Sequence, residues 1–177
     1  MQNLKNDRFE DLKWQLNYVI DQIKLADNKL YFLLAVYMFL FGIMIPKIEK
    51  FLNILFDGEI CLGNKIMIIA LFIGVVCFIV RFFICFINGM KPRIQPQNLL
   101  KNSEYKSVIF WKDIANMGYE IFEKKWKDQF FKDLKMQIYV NSKIADAKFK
   151  WVSAAYGTLG PILITITLFY IFLIILG

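Results

Sequence analysis

The chain contains no histidine, so the side chain most often used as a general base or zinc ligand is missing. It has three cysteines, Cys61, Cys77 and Cys85, and none forms a C-x-x-C pair. An odd count gives no disulfide framework, and two of the three lie inside an apolar run. Neither a metal site nor a cofactor is therefore expected. Proline and glycine are few, four and nine in 177 residues, which disfavours a turn-rich β-fold and favours long helices. P-loop, G-x-S-x-G and G-x-G-x-x-G patterns are all lacking, so an enzyme is not expected. Charge is sparse as well: 21% of residues are charged and 58% are hydrophobic, against about 45–50% apolar in a soluble chain.

The apolar excess is gathered in three runs. The first is 30–46 (LYFLLAVYMFLFGIMIP), the second is 66–87, interrupted by Arg81, and the third is 151–176. Each is long enough to be read as a membrane crossing. The expected fold is an all-α membrane protein. It has three transmembrane helices with long cytosolic helical extensions, and a helical insertion between spans two and three. The segments are a cytosolic amphipathic helix 1–29, span one 30–46, an external loop 47–65, span two 66–87, a cytosolic region 88–150 and span three 151–176. Asp7, Glu10 and Asp11 precede any apolar run, so no cleaved signal peptide is expected.

The net charge of +7 would suit nucleic acid or an anionic membrane surface; the apolar runs favour the bilayer, and no DNA or RNA partner is expected. Lysine and arginine number five in 1–29, three in 47–65 and thirteen in 88–150. Three crossings put the first and last of these segments on one side, together holding 18 of the 22. The positive-inside rule makes that side the cytosol and leaves the C-terminus outside. The expected location is the inner, cytoplasmic membrane of a bacterium.

Apolar residues recur at Phe9, Leu12, Leu16, Val19, Ile23, Ala26 and Leu30, a seam with coiled-coil spacing. No glycine or proline lies between Phe9 and Gly42, so one unbroken helix is expected to run from cytosol into membrane. Its partner is written later. Residues 24–37, KLADNKLYFLLAVY, align without a gap on residues 143–156, KIADAKFKWVSAAY. Both copies precede a span, which suggests two parallel helices related by a pseudo-twofold axis along the membrane normal. Asp27 and Asp146 are expected to pair with Lys24 and Lys143 along their own helices, while Lys29 and Lys148 snorkel to headgroups. The A-D-x-K turn reads as a membrane-boundary motif or as a ligand-sensing gate. Arg81 reads either as a snorkelling residue or as a gating, pore-lining one. Ser153 and Gly157 form a small-xxx-small face, and Pro161 is placed to kink span three.

The insertion 88–150 is the one place for a soluble ligand. Pro92 and Pro96 make its start extended, and Asn102 or Ser103 is suited to cap a helix carrying Phe110, Ile114, Ile121 and Trp126. A break near Lys127–Asp128 then leads into a second helix. Lys91, Arg93 and Lys112 supply charge and Tyr105 and Trp111 supply ring faces, a set able to hold a nucleotide monophosphate. Lys91 and Arg93 are equally readable as positive flanks of a span.

Four stretches carry a family likeness: Ala26-Asp27-x-Lys29 before span one, Lys91-Pro92-Arg93 after span two, Ile109-Phe110-Trp111-x-x-Ile114-Ala115 in the insertion, and Lys148 before span three. Together they resemble the small transmembrane effectors of the Pycsar anti-phage systems, although Trp111 stands where that family usually has a small residue. The resemblance implies a cyclic pyrimidine monophosphate, cCMP or cUMP, as activating ligand. It also implies that the effector assembles or opens and breaches the membrane, aborting infection; the Phe9–Leu30 seam and the Ser153–Gly157 face bury poorly in a lone subunit, so a homo-oligomer is expected. A membrane scaffold that docks a partner protein, and a holin-like pore former without a ligand, are the competing classes.

Overall fold

The computed structural model describes residues 2–91, 108, 109 and 111–176. Every described element is helical. Helix α1 spans Gln2–Met44, α2 Ile48–Phe56, α3 Leu62–Met90, α4 Trp111–Ala115, α5 Tyr119–Tyr156 and α6 Leu159–Leu176, with a 3-10 turn at Ile45–Lys47. Three stretches, Arg8–Phe56, Leu62–Met90 and Gln129–Leu176, are long and apolar enough to cross a membrane. The expected unbroken first helix is present and 43 residues long.

The chain divides into two compact units, residues 1–26 with 91–148, and residues 27–90 with 149–177. The division falls inside the A-D-x-K turn of the first copy, at Ala26/Asp27, and directly after that of the second, at Lys148/Phe149.

The second unit is the membrane bundle. Its exposed surface is rich in large apolar side chains such as Phe39, Ile164, Ile174 and Ile175, the kind of surface that acyl chains cover. Inside, Tyr37 of α1 stacks on Phe82 of α3 with ring centroids 3.8 Å apart, and its hydroxyl hydrogen-bonds that of Thr158. Lys29 Nζ lies 5.4 Å from the Phe149 ring centroid. Residues 29 and 37 thus meet 149 and 158 in the same order, so α1 and α5 run parallel here, as the repeat implies. The two copies are not equivalent, because Tyr37 is 2% exposed and Tyr156 41%.

Proline shapes two breaks in the bundle. Pro46 has no N–H to offer the Gly42 carbonyl four residues back, and the chain tightens there into the 3-10 turn. The Tyr170 hydroxyl donates to the neighbouring Ile43 carbonyl at 2.7 Å. Pro161 likewise offers no N–H to the Gly157 carbonyl. The chain there does not kink within one helix; it ends α5 at Tyr156 and restarts as α6 at Leu159. The loop 47–65 is more ordered than expected. Phe51 and Ile54 of α2 are buried, and Phe51 stacks on Phe72 at 4.8 Å and meets Phe169 at 5.8 Å.

The first unit joins the N-terminal part of α1 to α5. Phe9 packs on Phe130 and Phe131 at 5.9 and 6.4 Å. Trp126 continues this cluster, 4.6 Å from Phe130 and 5.5 Å from Phe122. The seam from Phe9 to Leu30 is buried or half-buried throughout, so it is occupied within the chain. The outward positions Trp14 and Tyr18 are 67% and 54% exposed and stack on each other at 5.7 Å.

One local expectation is corrected. The break expected at Lys127–Asp128 falls instead at 116–118, where Met117 N–H bonds the Ile114 carbonyl at 3.1 Å and Gly118 starts α5 by accepting Phe122 N–H at 3.0 Å. Glycine is favoured at a helix boundary, whereas residues 127 and 128 offer no breaker. Lys24 Nζ donates to Asp21 at 3.0 Å, and Lys143 Nζ sits 5.6 Å from the Tyr139 ring centroid. Helical Cβ bonds tilt toward the N-terminus, so a lysine finds the preceding turn first.

Candidate functional site

The seams of α1 and α5 pair apolar residues at their centre and leave charges along the edge. Arg8 precedes Phe9, and Lys135 follows Leu134, which is 5% exposed. Between these edges lies a cleft of about 460 Å³ lined by Arg8, Asp11, Leu12, Phe131 and Lys135. That is within the range of small-molecule sites. Neither Arg8 nor Lys135 has a hydrogen-bond or ion-pair partner among the described residues. The cleft thus offers two free cations, one carboxylate and a Phe131 ring that is 43% exposed. Two cations suit a phosphate group and an open ring suits a base.

A second cleft, of about 560 Å³, is lined by Glu120, Ile121, Lys124, Lys125 and Gln129. Gln129 Oε1 is buried there without a hydrogen-bond partner among the described residues. None of these lining residues is a ligand candidate from the sequence, where Ile121 reads only as part of a helix's apolar face and the Pro-flanked strand is the expected site.

Of the sequence candidates for ligand contact, Arg93 and Tyr105 lie outside the described residues, as do Pro92, Pro96, Asn102, Ser103 and Phe110. Lys91 is exposed just beyond α3. Trp111 and Lys112 form the first turn of α4. That turn is anchored from the preceding residues: Val108 is fully buried, and its N–H donates to Asp133 Oδ2 at 2.5 Å. Asp133, 1% exposed, therefore sets where α4 begins.

Of the gating candidates, Asp27 is half-buried, Asp146 exposed and Lys148 only 9% exposed. Lys29 covers Phe149, and Arg81 is exposed on α3. The repeat's second lysine is thus the more enclosed of the two.

Burial pushes the Asp133 carboxyl above the ordinary carboxylate range, partly offset by the Val108 N–H. A raised carboxyl pKa means the folded state holds its proton longer than the unfolded state. This group's contribution to stability is therefore full below the ordinary range of about 4 and is lost as pH rises through the folded pKa. Asp133→Asn keeps an acceptor and removes the ionisable group, so at neutral pH it leaves the fold at least as stable as the parent. Asp133→Ala orphans the buried Val108 N–H and costs about 1–3 kcal/mol. Amide exchange at 108–115, measured in detergent between pH 5 and 8, reads both. Equal protection in the two variants would show that the bond does not hold α4.

No curated protein and no solved structure matches the chain. The family model PycTM, the Pycsar effector protein domain, matches residues 11–176. The matched stretch takes in all three apolar runs, the insertion and every lining residue of the first cleft except Arg8. With helices built to cross a membrane and a match over nearly the whole length, the chain belongs to the Pycsar effector family of transmembrane proteins in antiviral defence.

Proposed function

We propose that this protein is a membrane effector activated by a cyclic pyrimidine monophosphate, cCMP or cUMP, that impairs the inner membrane and so aborts infection. The observation that carries this reading is the family match across residues 11–176. The charged cleft at Arg8 and Lys135 supports it further, being of nucleotide size and in the basic unit. In this reading the N-terminus and the insertion face the cytosol and the C-terminus faces outward, with 18 of 22 lysines and arginines inside. The active form is a homo-oligomer. Its contacts draw on the exposed Trp14–Tyr18 pair and on the exposed Ser153 and Gly157, since the seam from Phe9 to Leu30 is already filled.

The test is dye release from liposomes carrying the purified protein, with cCMP, cUMP, cAMP and cGMP added in turn. One pyrimidine nucleotide is expected to trigger release at a concentration about tenfold or more below the purines, 1.4 kcal/mol of discrimination. Binding of none of the four, with no change in leak, removes the effector reading. The exposed Trp14 and Tyr18 would then favour the scaffold reading, and release without any nucleotide would favour the ligand-independent pore.

A further inference from the structure

Arg81 is the one charge in the three apolar runs, and it is exposed. Helix α3 presents three faces. Val75, Phe82 and Gly89 are buried in the bundle. Val76, Val80 and Phe83 are exposed and large, as lipid tails require. Between these faces, at steps of three and four residues, run Ala70, Gly74, Cys77 and Arg81, small or polar and exposed except for half-buried Gly74.

The depth of Arg81 follows from the bundle itself. A Cβ on Gly89 would lie 2.6 Å from Leu30 Cδ1 and 3.3 Å from Trp151 Cβ. Gly89 therefore shares the level of Lys29, Lys150 and Trp151, the charges and aromatic ring that mark a membrane interface. Arg81 is eight residues further along α3, about 12 Å deeper at 1.5 Å per residue. A fully extended arginine reaches roughly 7 Å from its Cα. Its Cβ also tilts toward the start of α3, away from the near interface. Snorkelling thus falls short. Arginine stays protonated, and Arg81 has no hydrogen bond or ion pair among the described residues. Water must come to it.

We propose that the Arg81 face of α3 lines a water-filled pathway closed by further copies of this chain, and that the pathway prefers anions. One copy cannot enclose water, because lipid would cover its open face. Several copies set face to face exclude lipid, and the exposed Ala70 and Cys77 leave room between them. A ring of arginines favours anions, as in anion-conducting pores. The inference rests on the reading that the protein breaches the membrane and is independent of the nucleotide.

Cys77 lies one turn from Arg81 on the same face and is a native probe. The full chain carrying Cys61→Ser and Cys85→Ala retains it alone. In liposomes, both without nucleotide and with cCMP or cUMP added, Cys77 is exposed to an anionic and a cationic membrane-impermeant methanethiosulfonate. Relative to their rates with a free thiol, the anionic reagent is expected to react about tenfold faster, as a focused positive field dictates. Arg81→Gln should abolish that preference and Arg81→Lys should keep it. The single-cysteine Cys61 protein, with Cys77→Ser and Cys85→Ala, is the control for folding and reagent. No reaction at Cys77 while Cys61 reacts, or equal rates untouched by Arg81→Gln, overturns the proposal. Reaction at Cys77 combined with silence toward all four nucleotides leaves the pathway standing and removes only the nucleotide reading.

Discussion

Replacing Arg8 and Lys135 together with alanine should raise the cyclic nucleotide concentration for half-maximal dye release by a hundredfold or more. The two side chains line the same cleft and have no other hydrogen-bond or ion-pair partner among the described residues, so their cation character is free for a phosphate. Each charge-assisted hydrogen bond contributes about 1.5–3 kcal/mol. Moving a closed population from 99:1 to 1:99 needs about 5.5 kcal/mol of preference for the open state. Losing both bonds removes most of that, so release should be nearly absent at concentrations that saturate the parent. Asp11 shares the cleft and repels a phosphate, so Asp11→Asn should lower the concentration needed. Titration calorimetry beside the dye assay separates binding from opening. If the double variant binds and leaks like the parent while Lys91→Ala with Arg93→Ala does not, the ligand sits at the exit of span two and the cleft is not its site.

Much of the bundle is legible in the sequence, because lipid imposes simple demands. Apolar runs long enough to cross must be helices, and those runs are the cores of α1, α3 and α6. The pairing of α1 with α5 is legible through the repeated KLAD and KIAD stretches, since helices with matching faces at matching depth lie side by side. The breaks are less so. Gly118 signals the start of α5, but its effect competes with a strong helical pattern on either side. The cleft is hidden for a different reason. Arg8 and Lys135 are ordinary surface charges in the sequence, and only the pairing of Phe9 with Phe130 and Phe131 gives them a common cleft. The turn of Lys24 to Asp21 is a matter of Cβ direction, which spacing alone does not give.

Gly89→Leu should destabilise the membrane bundle strongly. Gly89 is the point where α1, α3 and α5 close on one another, with Leu30 fully buried beside it. A glycine allows that approach, as small residues do between membrane helices. Alanine is tolerable there. The atom it would meet at 2.6 Å is the flexible end of Leu30, although Trp151 Cβ at 3.3 Å limits the shift. The strain is offset by the roughly 1 kcal/mol that alanine gains over glycine in a helix. Leucine adds three further carbons with nowhere to go, a cost of about 1–3 kcal/mol and occasionally more for overpacking. Leu30→Ala on its own leaves a cavity and costs about 2–5 kcal/mol. In Gly89→Leu the same Leu30→Ala change vacates the space that the new side chain needs. The double variant should therefore be more stable than the sum of the two losses, by about 1–3 kcal/mol of coupling. Unfolding of the purified protein by titrated sodium dodecyl sulfate, followed by helical circular dichroism, measures all four members of the cycle. Strict additivity would mean that Leu30 and Gly89 do not share the crossing.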